Sequence, residues 1–284
     1  MLIMSKKVST VKNIDSLEII NHDHPRGGFR FALFDFDGTL SLIREGWQNV
    51  MIPMMVDILT ELNTGETTEE IEACVREFVE QLTGKQTIYQ MMALCDEISK
   101  RCGTPKNPLE YKQQYSDLLW LRIKHRVAGL NDGTIDRTSM MIPGSEDLLI
   151  GLKERGVSLF LASGTDDCFV QNECGALGLS KYFDGGIYGA QDDLAAFSKK
   201  MVIEGIIRDN NLQGKELLGF GDGFVEIENT KEAGGVAIGA AVDEIKLEGV
   251  DDWKRKRLIS AGADVIVPHY REHKALLAYL FSEE

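Results

Sequence analysis

Phe31-Ala32-Leu33-Phe34-Asp35-Phe36-Asp37-Gly38-Thr39-Leu40 decides how this chain is read. Four apolar residues run into two carboxylates spaced one apart, and Gly-Thr follows. An apolar run closed by a turn signal predicts a strand buried on both faces of a parallel sheet. Asp35 and Asp37 then leave its carboxyl end, where open α/β sheets bind their ligands. Residues i and i+2 of an extended segment share a side, so both acids can face one small site. Gly38 permits the sharp exit that follows. Taken alone, the string also fits a plain strand ending in an acidic turn, so the rest of the chain has to discriminate.

Before this stretch, residues 1–28 read as a leader. Leu17-Glu18-Ile19-Ile20 predicts a short strand, and His22-Asp23-His24-Pro25-Arg26-Gly27-Gly28 is a turn suited to a hairpin into the Phe31 strand. His22 and His24 read as solvated loop residues in preference to metal ligands. After it, residues 41–141 change character. Apolar positions recur at spacings of three and four, among them Met51, Met54, Met55 and Ile58, then Ile71, Val75 and Val79, then Leu119, Ile123 and Val127. This predicts an all-helical insertion with its methionines in the core. Thr67-Thr68-Glu69-Glu70 reads as a helix start with acids in the first turn.

From Ile142 an α/β rhythm returns. Ser145–Arg155 predicts a helix capped by Ser145 and stopped by Gly156. Strands are expected at Val157–Ala162, Tyr182–Ala190, Leu217–Gly223, Gly235–Gly239 and Val265–Pro268, with helices between them. The fold class is therefore α/β, a doubly wound, Rossmann-like parallel sheet formed by residues 29–40 and 142–284, interrupted by the helical insertion.

Composition narrows the partners. The chain has 284 residues and a formal net charge of −14. No long basic cluster offsets that charge, which argues against a nucleic-acid or anionic-membrane surface. A small phosphorylated molecule is compatible, since a bound cation neutralises its charge locally. Five cysteines without a C-x-x-C spacing favour free thiols in the cytoplasm over a disulfide framework or a zinc site. Neither a signal-peptide core nor a membrane-length apolar segment is expected.

Three later stretches end strands or begin helices with chemically useful groups. Leu159-Phe160-Leu161-Ala162-Ser163-Gly164-Thr165 offers a hydroxyl and backbone amides suited to a phosphoryl oxygen. Ser198-Lys199-Lys200-Met201 offers a lysine able to balance a carboxylate and phosphoryl charge. Adjacent helix residues lie about 100° apart, so one lysine points inward, and Lys199 is chosen over Lys200. Phe220-Gly221-Asp222-Gly223-Phe224-Val225-Glu226 ends in acids suited to Mg²⁺, a hard cation that prefers oxygen ligands. Glu228 competes with Glu226 for the second acidic position.

These four stretches, in this order, resemble motifs I to IV of the haloacid dehalogenase (HAD) superfamily, whose phosphatases carry D-x-D-G-T in motif I. The resemblance covers residues 31–40 and 142–284. It implies an enzyme that hydrolyses a small phosphomonoester, of the sugar-phosphate kind, through an aspartyl-phosphate. Asp35 is the implied nucleophile and Asp37 the implied acid and base. Ser163 and Lys199 hold the transferring group, and Mg²⁺ is bound by Asp35, the Asp37 carbonyl and Asp222, with Glu226 acting through water. Asp37 also argues against halide chemistry, which needs no leaving-group acid. Thr39 and Gly164 belong to the substrate side of the site.

The insertion falls where the superfamily places a helical C1 cap. The segment leading into it carries Arg44 and Trp47. Either these contact substrate, or Arg44 is solvated in a hinge while Trp47 packs in the cap. A phosphosugar mutase, which shares all four motifs, and a non-catalytic binding protein on the same scaffold remain as alternatives.

Overall fold

The computed structural model describes residues 17–191, 198–210 and 213–283; the first part of the expected leader lies outside them. Among the described residues seven strands form one sheet: β1 (Glu18–Ile19), β2 (Phe31–Phe34), β3 (Ser158–Asp166), β4 (Gly186–Ala190), β5 (Leu217–Gly221), β6 (Val236–Ala240) and β7 (Val265–Val267). Their order is β1-β7-β6-β5-β2-β3-β4. Every neighbouring pair is parallel except β1 with β7.

The Phe31 strand lies inside this order, between β5 and β3, with each of its faces and each of its edges used. Ala32 and Phe34 pack into one core cluster, and Phe31 and Leu33 into another on the opposite face. Phe34 stacks on Phe220 of β5, ring centroids 4.4 Å apart and planes within 6°. Its edges are occupied by β3 and β5, with Phe34 in register with Leu161 and Phe220. Such a strand has no free edge for a hairpin partner. The expected hairpin does not form: β1 crosses to the sheet's far edge and pairs antiparallel with β7, Glu18 opposite Ile266. His24 is likewise not a solvated loop residue. It is buried, with Nε2 3.0 Å from the Tyr279 hydroxyl and Nδ1 2.8 Å from the Pro25 carbonyl.

Four α-helices fall within residues 41–141, after β2: α1 (Gln48–Thr60), α2 (Thr68–Leu82), α3 (Thr87–Lys100) and α4 (Pro108–Asp132). Thr67 caps α2 in a reciprocal box with Glu70, which satisfies two backbone donors that a helix start otherwise leaves open. Met51, Met54, Met55 and Met91 are buried. Their flexible side chains fill the spaces between these helices.

Six helices accompany the later strands: α5 (Ser145–Glu154), α6 (Asp167–Ala176), α7 (Lys199–Asp209), α8 (Phe224–Glu232), α9 (Asp252–Ser260) and α10 (His273–Phe281). At α5 the expected cap shifts by one residue. Gly144, at φ 84°, is the N-cap, and the Ser145 hydroxyl turns back to donate to the Ile142 carbonyl at 2.7 Å. An added Cβ at Gly144 would lie 2.2 Å from the Tyr270 carbonyl oxygen, so the residue before Ser145 has to be glycine. All five cysteines are free. Among the described residues no helix is long and apolar enough to cross a membrane.

Candidate active site

The carboxyl ends of β2, β3 and β5 lie side by side, with β2 in the centre. This is the crevice position at which an open α/β sheet can gather groups from several strands. Asp35, just beyond β2, is buried, and its backbone N–H donates to the Phe220 carbonyl at 2.9 Å. Its Oδ1 accepts from Lys199 Nζ at 2.8 Å. Lys199 is the first residue of α7, whose N-cap is Ser198. It is buried, and its ammonium also contacts Glu226 Oε1. Lys200 faces away and pairs with exposed Glu232 at 2.8 Å. Glu226 sits in the first turn of α8 and is buried, whereas Glu228 is exposed.

One ammonium thus serves two buried carboxylates, and Asp222 lies nearby. Burial, with repulsion from Glu226 and Asp222, holds the Asp35 carboxyl well above the usual aspartate range despite Lys199. Lys199 is held firmly protonated by Asp35 and Glu226 even though it is buried.

Asp37 stands one residue beyond Phe36 on the same side. Its Oδ2 accepts from Thr165 Oγ1 at 2.8 Å and from Ser163 Oγ at 3.4 Å. Its Oδ1 is buried and has no hydrogen-bond partner. Ser163 is fixed in turn by the Thr165 backbone N–H, which donates to Ser163 Oγ at 3.0 Å. Gly38, at φ 71°, brings the β2 and β5 ends together: a Cβ there would meet Asp222 Oδ2 at 2.3 Å. Thr39, fully buried, ties the two loops by accepting from the Asp222 backbone N–H at 3.0 Å.

The remaining expected positions are also brought to the cavity. Arg44, Trp47 and Gly164 line a cavity of about 100 Å³ together with Asp35, Asp37 and Lys199. Arg44 is not solvated. Its Nε and Nη2 grip Glu173 of α6 at 2.7 to 3.2 Å, and its Nε stands 4.0 Å from Asp37 Oδ1. Trp47 is half-buried: it lines the cavity and packs against the main core.

Several participants carry no local sequence signal. Lys254 of α9 donates to Asp222 Oδ2 at 2.8 Å and to Glu244 Oε1 at 2.6 Å. Gln90 and Tyr115 complete the walls, and Glu173 holds Arg44 from behind them. The loop joining α2 to α3 closes over the strand ends by glycine contacts. A Cβ at Gly84 would lie 3.2 Å from the Gly223 Cα, and one at Gly164 would lie 3.0 Å from the Lys85 carbonyl oxygen. Arg257 of α9 anchors this loop from outside. Its guanidinium donates to the carbonyls of Glu80, Gln81 (2.9 Å) and Thr83 (3.1 Å) at the end of α2. It lies over the Phe224 and Trp253 rings, 4.7 and 5.1 Å from their centroids.

Among the described residues no three His, Cys, Asp or Glu side chains form a ready-made metal cage. The donor set nonetheless suits a hard cation. Asp35 and Asp222 supply carboxylates, the backbone at Asp37 supplies a carbonyl, and the local excess of acids over lysines leaves negative charge to balance. Glu226 Oε2 is a further buried oxygen with no partner.

Strand-end acids and a buried lysine thus meet in one small cavity beneath inserted helices, at the carboxyl edge of an α/β sheet. The model of the haloacid dehalogenase-like hydrolase family matches residues 29–234, and the chain belongs to that family. No curated protein matches the sequence significantly. Solved structures share the fold at low identity. One, described as a predicted phosphoglycolate phosphatase from Haemophilus somnus 129pt, aligns with a TM-score of 0.59 and 16% identity over 88% of this chain and 98% of its own. A predicted phosphatase from Clostridium acetobutylicum gives 0.56 and 21% over 88% and 98%. A beta-phosphoglucomutase from Clostridium difficile gives 0.52 and 14% over 82% and 98%.

Proposed function

We propose that the protein is a Mg²⁺-dependent phosphatase that hydrolyses a small phosphomonoester through an aspartyl-phosphate. The observation that carries this reading is the division of labour between two acids two residues apart. Asp35 is gripped by Lys199 on one oxygen only, and Asp37 is oriented by the Thr165 and Ser163 hydroxyls.

In this reading the free oxygen of Asp35 attacks phosphorus. The new O–P bond forms as the ester P–O bond breaks, and Asp37 delivers its proton to the departing oxygen. Asp37 then takes a proton from the water that attacks the aspartyl-phosphate, which returns Asp35 and releases inorganic phosphate. Lys199 and Ser163 hold the transferring oxygens, with Gly164 beside them. Thr39 keeps the Asp35 and Asp222 loops in register. Asp35, Asp222 and the Asp37 carbonyl would hold Mg²⁺, with Glu226 behind them, and the ion would supply shielding of negative charge between nucleophile and phosphoryl group.

Residues 41–141 act as the cap that excludes bulk water and selects the leaving group, with 29–40 and 142–284 as the catalytic core and 1–28 as a leader. The free cysteines fit a cytoplasmic setting.

The reading is tested by phosphate release from a panel of phosphate monoesters with Mg²⁺, and again after EDTA. Release that stops in chelator and returns with Mg²⁺ is expected. No release from any ester removes the phosphatase, and conversion of a sugar 1-phosphate into its 6-phosphate replaces it with a mutase.

A further inference from the structure

On the cap side of the cavity a buried polar atom has no hydrogen-bond partner among the described residues. Gln90, on α3, is only 4% exposed and lines the cavity. Its amide nitrogen faces the Leu82 carbonyl at 3.5 Å. A carbonyl only accepts, so the nitrogen has to face it, and Oε1 is the end left without a partner. A buried acceptor with no donor is costly, and a bound group carrying an O–H or N–H relieves that cost.

Two of the three cations lining the cavity are already ion-paired. Arg44 is paired with Glu173 at 2.7 Å. The Lys85 ammonium lies over the Tyr89 and Phe224 rings, 5.8 and 6.0 Å from their centroids. Lys199 is held by Asp35 and Glu226. The acids Asp37 and Glu45 also line the cavity. A second anionic group on the substrate would therefore meet the Asp37 and Glu45 carboxylates, with Lys85, which makes ring contacts but no ion pair among the described residues, as the one lining cation left to it. Tyr115, buried and kept neutral by desolvation, adds a hydroxyl to the same wall.

We propose that Gln90 is a specificity residue and that the leaving group is a small, uncharged, hydroxylated fragment whose O–H donates to Gln90 Oε1. The cavity of about 100 Å³ limits that fragment to a few heavy atoms. This rests on the phosphatase reading above and goes beyond it by naming the leaving group's chemistry.

Three esters on one three-carbon skeleton test it: glycerol 3-phosphate, n-propyl phosphate without hydroxyls, and 3-phosphoglycerate with a carboxylate. For the wild type kcat/KM is expected to favour glycerol 3-phosphate over n-propyl phosphate by about tenfold, the worth of one satisfied buried acceptor. It is expected to favour glycerol 3-phosphate over 3-phosphoglycerate by at least as much. In Gln90→Met the glycerol-to-propyl ratio should fall to within about twofold of one. Equal or faster turnover of 3-phosphoglycerate by the wild type overturns the proposal even if the variant fails to fold, as does an unchanged ratio in a folded variant. Hydrolysis of none of the three, nor of any other monoester, overturns the phosphatase reading and this inference with it.

Discussion

Lys254 Nζ stands 2.8 Å from Asp222 Oδ2, so the strand-end acid assigned to Mg²⁺ already has a cation of the protein's own on one oxygen. The same ammonium reaches Glu244 Oε1 at 2.6 Å. A lysine that bridges two largely buried acids fixes their positions and removes part of their mutual repulsion before any ion arrives. Asp222 then presents only its other oxygen outward.

Lys254→Met should therefore separate structural cost from metal affinity. Removing one partner of a buried ionic cluster costs about 3–5 kcal/mol, and the melting temperature measured in EDTA should fall accordingly. The stabilisation gained on adding Mg²⁺ should become larger than in the wild type, because the ion replaces a lost positive charge. A variant that melts like the wild type in EDTA would show that the Lys254 bridge contributes nothing.

Asp35→Asn should lower turnover by at least about a thousandfold, since an amide oxygen is a poor nucleophile toward phosphorus. The change is isosteric at a strand end, so circular dichroism and the cooperativity of unfolding should be preserved. Turnover near the wild-type rate would remove Asp35 from the nucleophile's position.

The same substitution predicts a pH effect on stability. Burial and neighbouring acids raise the Asp35 carboxyl in the folded chain. Between its ordinary value and its folded value the native state therefore holds more protons than the unfolded state. The Asp35 contribution is thus most favourable below the ordinary aspartate value and is lost as pH rises through the folded one. Urea unfolding in EDTA should show stability falling more steeply in the wild type than in Asp35→Asn as pH rises above the ordinary aspartate value. Equal slopes would contradict the assignment.

Lys199→Met and Lys200→Met should differ sharply although the residues adjoin. The first leaves Asp35 and Glu226 buried without their shared counterion and is expected to cost several kcal/mol as well as activity. The second removes an exposed pair with Glu232 and should leave both the melting temperature and kcat/KM unchanged. Thermal melts and phosphate release measured side by side read both effects.

The strand ends were readable because their pattern is local. A buried strand requires consecutive apolar residues, so the acids and hydroxyls that end such runs stand out at Asp35, Asp37, Ser163 and Asp222. Lys199 stood out because it follows a capping serine. Lys254, Glu244, Glu173 and Gln90 were silent. Each lies in an ordinary helix or loop and reaches the cavity, or a residue lining it, only through the packing of elements distant in sequence. The partner of β1 was silent for another reason: a two-residue strand carries no register information, and only the occupied edges of β2 show that a hairpin there is impossible. At α5, Ser145 has the chemistry of a cap, but the approach of the Tyr270 backbone gives that position to Gly144.

The hold of Arg257 on α2 bears on tempo. Its guanidinium spans three carbonyls at the helix end and lies against two aromatic rings, and the loop it steadies rests on Gly223 beside the site. Parting α2 from α9 costs all of these contacts together, so a motion that opened this side of the cavity would be slower than the fluctuation of an unanchored loop.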